Sequence, residues 1–237
     1  ILGCAVRARH TATFIGLKPG LLTLDGPDHC GRIHLCTLGL DAARLLPPRG
    51  ALIGRGALHA LLPPRPRNSH KGSFGSVGII GGAPGMGGAA LLAGRAALKL
   101  GAGRVYVGLL AADAPTVDPL QPELMLRGAN EALKLEHLNC LAVGPGLGQG
   151  PAAAACLLRA LQTRLPLVLD ADALNLLAAK RKIKNELKQT AGTTLLTPHP
   201  AEAARLLNVT TAEIQHDRLA AALRIARAYG CAVVLKG

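Results

Sequence analysis

The chain has 237 residues, 49% of them hydrophobic but with only two Phe, two Tyr and no Trp, so its core is built from Leu, Val, Ile and Ala. That length suits one large domain, or a domain with a fragment of another, and the 29 Gly and 16 Pro fall between apolar runs rather than forming low-complexity sequence. The formal net charge is +13, yet the only dense basic cluster, Lys180 to Lys184, has no aromatic beside it and no run of about 20 apolar residues exists, which argues against specific nucleic-acid recognition and excludes a membrane-spanning helix.

Residues 1 to 41 alternate in a strand-like way. Thr11-Ala12-Thr13-Phe14-Ile15 and Arg32-Ile33-His34-Leu35 read as strands, with a Gly/Pro/Asp turn region at Leu24 to Asp28 between them. Residues 42 to 70 carry Pro47-Pro48, Pro63-Pro64, Pro66 and five arginines, the composition of a linker leading into a new domain.

From Ser76 the pattern becomes regular. Apolar runs predict strands over Val77 to Ile80, Val105 to Leu109, Leu141 to Val143, Leu167 to Leu169, Thr194 to Leu196 and Ala232 to Leu235. Helical periods lie between them at Gly88 to Leu100, Ala152 to Leu161, Ala173 to Ala179, Pro200 to Leu207 and Ala212 to Tyr229. The alternation predicts an α/β fold, a three-layer αβα arrangement around a mostly parallel sheet. Helix starts agree: Thr210 and Glu213 have capping-box spacing, and Pro200 and Glu202 suit a first turn. The Lys180 to Lys184 cluster reads as the solvated end of a helix.

The six cysteines show no C-x-x-C and no His spacing suited to zinc, so no metal site is expected from protein ligands of that kind. Cys140 and Cys231 open apolar runs and read as buried, reduced thiols of a cytoplasmic protein.

In a parallel sheet, ligands bind at the carboxyl ends of the strands, where backbone N–H groups and helix N-termini face anions. Gly81 to Ala90 and Gly144-Pro145-Gly146-Leu147-Gly148 are glycine-rich turns at two such ends. Either is a structural turn or a binding loop; together they point to a phosphate-bearing ligand. Asp170 stands where a carboxylate holds a sugar hydroxyl or Mg2+ through water, whereas Asp172 reads equally as a helix cap. Pro198 and Pro200 pin His199 at a helix N-terminus, where it reads equally as a neutral, ligand-binding imidazole and as a structural one. Lys236, followed by Gly237, offers a cation at the last strand end.

Six ordered phrases carry a family resemblance: Ser69-His-Lys-Gly72, Gly81-Gly82 through Ala90, Gly144 to Gly148, Leu169-Asp-Ala-Asp-Ala-Leu-Asn175, Leu196-Thr-Pro-His-Pro-x-Glu202 and Val234-Leu-Lys-Gly237. Together they resemble the ADP- or ATP-dependent NAD(P)H-hydrate dehydratases, which have a ribokinase-like fold. The leading segment, with Thr11-x-Thr13-Phe14, Lys18-Pro-Gly-Leu21 and Asp28-x-Cys-Gly31, is similar to the last strands of NAD(P)H-hydrate epimerase domains, which bacteria fuse ahead of the dehydratase. The implied division is 1–45 as the end of an epimerase domain, 46–70 as linker, and 71–237 as the dehydratase domain.

The resemblance implies a repair reaction on NADH hydrate and NADPH hydrate, with ADP or ATP as phosphoryl donor and Mg2+. It implies that Ala89, Gly146, His199 and Asp170 contact the hydrate substrate, and that Lys236 and Gly237 contact the adenine nucleotide. The family's Gly-Gly-Thr-Gly-Asp turn, which carries the catalytic Asp, is expected beyond Gly237, so no catalytic residue is assigned here. The chain lacks an initiator Met, and Val233 to Gly237 read as a strand entering a turn, so both ends are expected to continue and the segment alone to be inactive. A cytoplasmic homo-oligomer, a tetramer at full length, is also implied, with no membrane partner. Two other readings stand: a ribokinase-like kinase of a vitamin precursor, and a non-catalytic nucleotide-binding or basic scaffold protein.

Overall fold

In the computed structural model, described over residues 3–48, 50–59, 61–189 and 193–237, nine strands form two separate sheets. The sheets belong to two units, Ile1–Pro66 and Arg67–Gly237. Ile1 and Leu2, and Arg49 among the five arginines of the linker segment, lie outside the described residues.

In the first unit β1 (His10–Phe14) and β2 (Arg32–Cys36) pair in parallel, His10 opposite Arg32 and Phe14 opposite Cys36. Two neighbouring parallel strands require a crossover. Here it contains a 3-10 turn at Pro19–Leu21 and a short helix α1 (Gly26–Cys30), so the Leu24 to Asp28 segment is partly helical and not simply a turn. Pro27 at the start of α1 suits the first helical turn, where its missing N–H has no acceptor to lose. Thr13 and Cys30 are buried, and the Thr11 hydroxyl of β1 donates to the Cys30 carbonyl at 2.7 Å, fastening the crossover to the strand. Beyond β2 come two short helices, α2 (Ala42–Leu45) and α3 (Arg55–His59), within the segment that composition alone marks as linker.

The second unit is a seven-stranded sheet made of β3 (Ser76–Gly81), β4 (Arg104–Leu109), β5 (Met125–Gly128), β6 (Cys140–Val143), β7 (Leu167–Leu169), β8 (Thr194–Leu196) and β9 (Ala232–Val233). Their order is β5-β4-β3-β6-β7-β8-β9, and every pairing is parallel. Alternation along the strands feeds two apolar clusters. Ile79, Val105, Val107 and Leu109 pack with Ala90 of α4 (Gly87–Lys99), whereas Ile80 and Tyr106 join the larger cluster of the remaining helices. Those helices are α5 (Ala129–Ala132), α6 (Pro151–Gln162), α7 (Asp172–Ala179), α8 (Arg181–Gln189), α9 (Pro200–Leu207), α10 (Thr211–His216) and α11 (Arg218–Tyr229). The predicted three-layer αβα arrangement is present.

Arg95, the charge that interrupts the apolar Gly87 to Leu98 stretch, is explained by its partner. Its Nε and Nη2 each lie 2.7 Å from the carboxylate of Asp118, whose side chain is fully buried. That bidentate bond and the Leu120 N–H hold the Asp118 carboxyl below the usual carboxylate range, against the opposing effect of burial. No helix among the described residues is long and apolar enough to cross a membrane.

One detail agrees with the sequence reading and two differ. The basic cluster falls at helix ends, Lys180 capping the C-terminus of α7 and Arg181 to Lys184 opening α8, whose Ile183 and Leu187 are buried one turn apart. There Lys184 Nζ stands 4.6 Å from the centroid of the Tyr229 ring. The single helix expected from Ala212 to Tyr229 breaks at Asp217, whose carboxylate accepts from Ala220 N at 2.9 Å and starts α11. Finally, Cys140 and Cys231 are only partly covered; the buried thiols are Cys30 and Cys156, and all six are free.

Candidate functional site

Because the large sheet is entirely parallel, the segments that follow β3, β6, β7, β8 and β9 all leave from one edge. The two glycine-rich turns meet there directly. Gly82 N donates to Pro145 O at 3.1 Å and Ala83 N to Gly146 O at 2.6 Å. A side chain at Gly81 would collide with the Pro145 carbonyl, and Gly146 has φ of 60° with its open side against Met86 and Ala89. A Cβ on Gly146 would stand 2.6 Å from Met86 O and 3.2 Å from Ala89 Cβ. Ala89 and Gly146 are therefore neighbours, and the N–H of Gly146 has no acceptor among the described residues.

The Gly144 to Gly148 turn spends more of its amides internally than its sequence suggests. Gly144 N donates to Ile80 O at 3.0 Å and Leu147 N to Gly144 O at 3.0 Å. Gly148 N donates to Asp172 Oδ2 at 2.8 Å. Asp172 Oδ1 also accepts from Gln149 Nε2 at 3.2 Å and Asn175 Nδ2 at 3.4 Å. Asp172 is thus not the cap of α7, a position held by Ala171 without a side-chain bond; it latches the β7 end to the β6 turn. Asn175 extends the chain of contacts, its Oδ1 accepting from Arg205 Nη1 of α9 at 2.9 Å.

Ala171 has φ of 50°, in the region that disfavours any residue with a Cβ. The inversion sends the two flanking carboxylates to different tasks. Asp170 Oδ1 lies 2.6 Å from Lys236 Nζ, in a pair that stays about a third to two fifths exposed, at 42% for the lysine and 32% for the aspartate. Lys236 is fixed through its backbone, with its N–H on Pro198 O at 2.9 Å, just as Val234 N meets Leu196 O at 2.9 Å. The ladder contacts thus run on past β9. Arg218 clasps the same segment: its Nη2 donates to Lys236 O at 2.9 Å and Leu235 O at 3.2 Å.

His199 is the N-cap of α9. Its Nδ1 accepts from Ala201 N at 3.1 Å, while its Nε2 lies 3.2 Å from Glu202 Oε1. Glu202 is nearly buried and also accepts from His199 N at 2.9 Å, closing a capping box. An Nδ1 that accepts carries no proton, so Nε2–H is the donor and the Glu202 carboxylate orients the ring. About half of the imidazole remains exposed.

Of the six residues singled out in the sequence, the structure makes two pairs, Ala89 with Gly146 and Asp170 with Lys236. Gly237 adjoins Arg218 and the start of α9: a Cβ on it would stand 2.8 Å from Arg218 Nη1 and 3.2 Å from Pro200 Cγ. His199 is hydrogen-bonded to neither pair. Asp172 as a latch, Glu202 as the orienting carboxylate and Arg218 as a clasp escaped the sequence reading; only Glu202, three residues after His199, left a readable signal. No group of three or more His, Cys, Asp or Glu side chains converges on a metal position among the described residues. On the same edge, a cleft of about 510 Å³ opens beyond β4 and β5. A smaller one of about 280 Å³ lies at the opposite edge, beside Thr194 and Cys231 where β8 and β9 begin.

Residues 77–237 match the family model described as NAD(P)H-hydrate dehydratase. The bifunctional NAD(P)H-hydrate repair enzyme Nnr of Coxiella burnetii is 40% identical over 243 residues, covering 100% of this chain and 48% of that protein. The ADP-dependent (S)-NAD(P)H-hydrate dehydratase of Neisseria meningitidis serogroup B is 46% identical over 176 residues, covering 73% of this chain and 59% of that one. Among solved structures, the ADP/ATP-dependent NAD(P)H-hydrate dehydratase of Bacillus subtilis, co-crystallised with ATP/Mg2+, superposes with a TM-score of 0.64 at 33% identity, covering 77% and 65% of the two chains. A ribokinase-like superfamily protein of Enterococcus faecalis gives 0.58 at 27% identity, covering 73% and 61%. The chain spans about half the length of the bifunctional relatives that it matches from end to end.

Proposed function

The chain belongs to the NAD(P)H-hydrate dehydratase family and has its ribokinase-like αβα fold; from that premise we propose that it serves the nucleotide-dependent dehydration of (6S)-NAD(P)H hydrate to NAD(P)H. The observation that carries the reading is the gathering of the family's motif residues on one edge of one parallel sheet, with the two glycine turns bonded to each other.

The hydroxyl of the hydrate is a poor leaving group. Transfer of a phosphoryl group from ADP or ATP forms a phosphate ester on it. Ring-nitrogen electrons then expel inorganic phosphate, and loss of a proton from the adjacent ring carbon restores the double bond. Such transfer depends on positioning and charge compensation more than on covalent help from the protein. In this reading Ala89, Gly146 and the half-exposed ring of His199, held in place by Glu202, position the hydrate, and Lys236 with Gly237 meets the nucleotide. Asp170 stands between the two as the carboxylate that parks Lys236 or faces substrate.

Mg2+ typically takes one or two carboxylates and completes its shell with phosphate oxygens and water. The absence of a three-residue acidic cluster among the described residues and the solvent-reaching Asp170 fit an ion held chiefly by the nucleotide. Asp170 would hold it through water, and the ion would supply charge compensation on the phosphates.

Residues 1–45 we read as the end of an epimerase domain, supported by an alignment with a bifunctional relative that spans the whole of this chain and 48% of that protein. The reading carries with it a cytoplasmic location and a tetrameric assembly, which fractionation and light scattering test. The decisive assay supplies NADPH hydrate, Mg2+ and either ADP or ATP, and follows both reduced-nicotinamide absorbance and free phosphate. In a protein that carries the Gly-Gly-Thr-Gly-Asp turn after these residues, recovery of absorbance with equimolar phosphate is expected. Accumulation of a stable phosphorylated alcohol instead would establish a kinase.

A further inference from the structure

We propose that the cleft beyond β4 and β5 receives the adenosine half of the dinucleotide hydrate, an inference that rests on the function proposed above. The strand order carries the argument. Lys236 follows β9, at one end of the order, and His199 follows β8; Ala89 and Gly146 follow β3 and β6; β4 and β5 lie on the far side. With strands about 4.8 Å apart, the β9 end lies about 19 Å from β3 in one direction and β5 about 10 Å in the other. A phosphoryl donor on Lys236 approaches the nicotinamide ring from the β9 side. The rest of the substrate must leave that ring away from the donor, which is toward β4 and β5.

The cleft is built as a continuation of the site. Its wall begins at Leu110 and Ala111, whose N–H groups both donate to Gly82 O, at 3.1 and 2.9 Å. Gly82 belongs to the turn that leads to Ala89, so the cleft and the nicotinamide position share one backbone. Its volume of about 510 Å³ lies within the range of small-molecule sites. The lining suits a nucleoside: small apolar surface at Ala112 and Ala114 for the base, Asn130 and Glu131 for ribose hydroxyls, and Arg127 as the one cation among the lining residues for a phosphate.

The test compares NADH with reduced nicotinamide mononucleotide, which lacks the adenosine half, by ligand fluorescence, with ADP binding measured in parallel. The variants are Ala112→Trp and Asn130→Trp, both at exposed positions lining the cleft, one in the segment after β4 and one in α5. The native chain is expected to bind NADH at least tenfold tighter than the mononucleotide. Each variant should bring NADH to the level of the mononucleotide, leaving the mononucleotide and ADP within twofold. If NADH keeps its advantage in both variants, or has none in the native chain, the assignment is overturned. A native chain that binds ADP but neither nicotinamide ligand overturns the proposed function instead.

Discussion

Lys236 and Asp170 sit 66 positions apart in sequence, yet their charged groups meet at 2.6 Å on the ends of strands separated by β8. The contact occupies Lys236, so in the function proposed above a phosphate would displace the carboxylate in order to take the lysine. Asp170→Asn should therefore tighten Mg2+-free ADP about two- to fivefold, the worth of an exposed ion pair. Lys236→Met should weaken it by about tenfold or more, as loss of a charge-assisted bond to phosphate requires. Isothermal titration reads both, and unchanged ADP affinity in both variants would remove the pair from the nucleotide site.

Asp172 joins two strand-end turns through the Gly148 N–H. Asp172→Ala is expected to destabilise the fold by about 1.5 kcal/mol, the lower range for a hydrogen bond to a charged acceptor. Asp172→Asn, which keeps one acceptor oxygen, should recover part of the loss. Urea unfolding at neutral pH provides the comparison.

The Asp118 carboxyl is held down by Arg95, so its protonation opposes folding. Its contribution is fully present above the pKa of the unfolded chain and is lost as the pH falls through the lower pKa of the folded one. Below about pH 4, where an aspartate of the unfolded chain takes up its proton, the native chain should lose stability more steeply than Asp118→Asn. Arg95→Met should lower the melting temperature more than Arg95→Met combined with Asp118→Leu, because the single change leaves a buried carboxylate alone. Equal melting temperatures for the two would contradict this.

Burial pushes the Cys156 thiol up to about 11, whereas Cys4 is exposed. At mildly alkaline pH an aromatic disulfide reagent should label Cys4 first and Cys156 last, and mass spectrometry of timed samples gives the order. Early labelling of Cys156 would show that α6 opens far more readily than its packing allows.

The sheet was legible because most of its strands are covered on both faces, and double coverage demands the continuous apolar runs at Ile79, Val107, Val143 and Leu169. Strand β5 lies at the edge and is only half-buried, so Met125-Leu126-Arg127-Gly128 needs no such run and left none. Helix α8 was obscured for a similar reason: two buried residues, Ile183 and Leu187, anchor the seven polar positions of a nine-residue helix. The glycine turns, His199 and Asp170 were readable as motifs because local backbone demands fix their residue types. The roles of Asp172 and Arg218 were not, since each acts on a backbone group supplied by a distant segment, Gly148 in one case and Lys236 in the other.

The inverted backbone at Ala171 has a combinatorial consequence. In an ordinary helix start or strand, residues two apart would share a direction or be separated by a fixed turn angle, and Asp170 and Asp172 would compete for the same partners. One residue of opposite hand breaks that parity, giving the edge of the sheet an outward acid and an inward acid from a three-residue phrase. The spacing of the aspartates, more than their number, is what the site encodes.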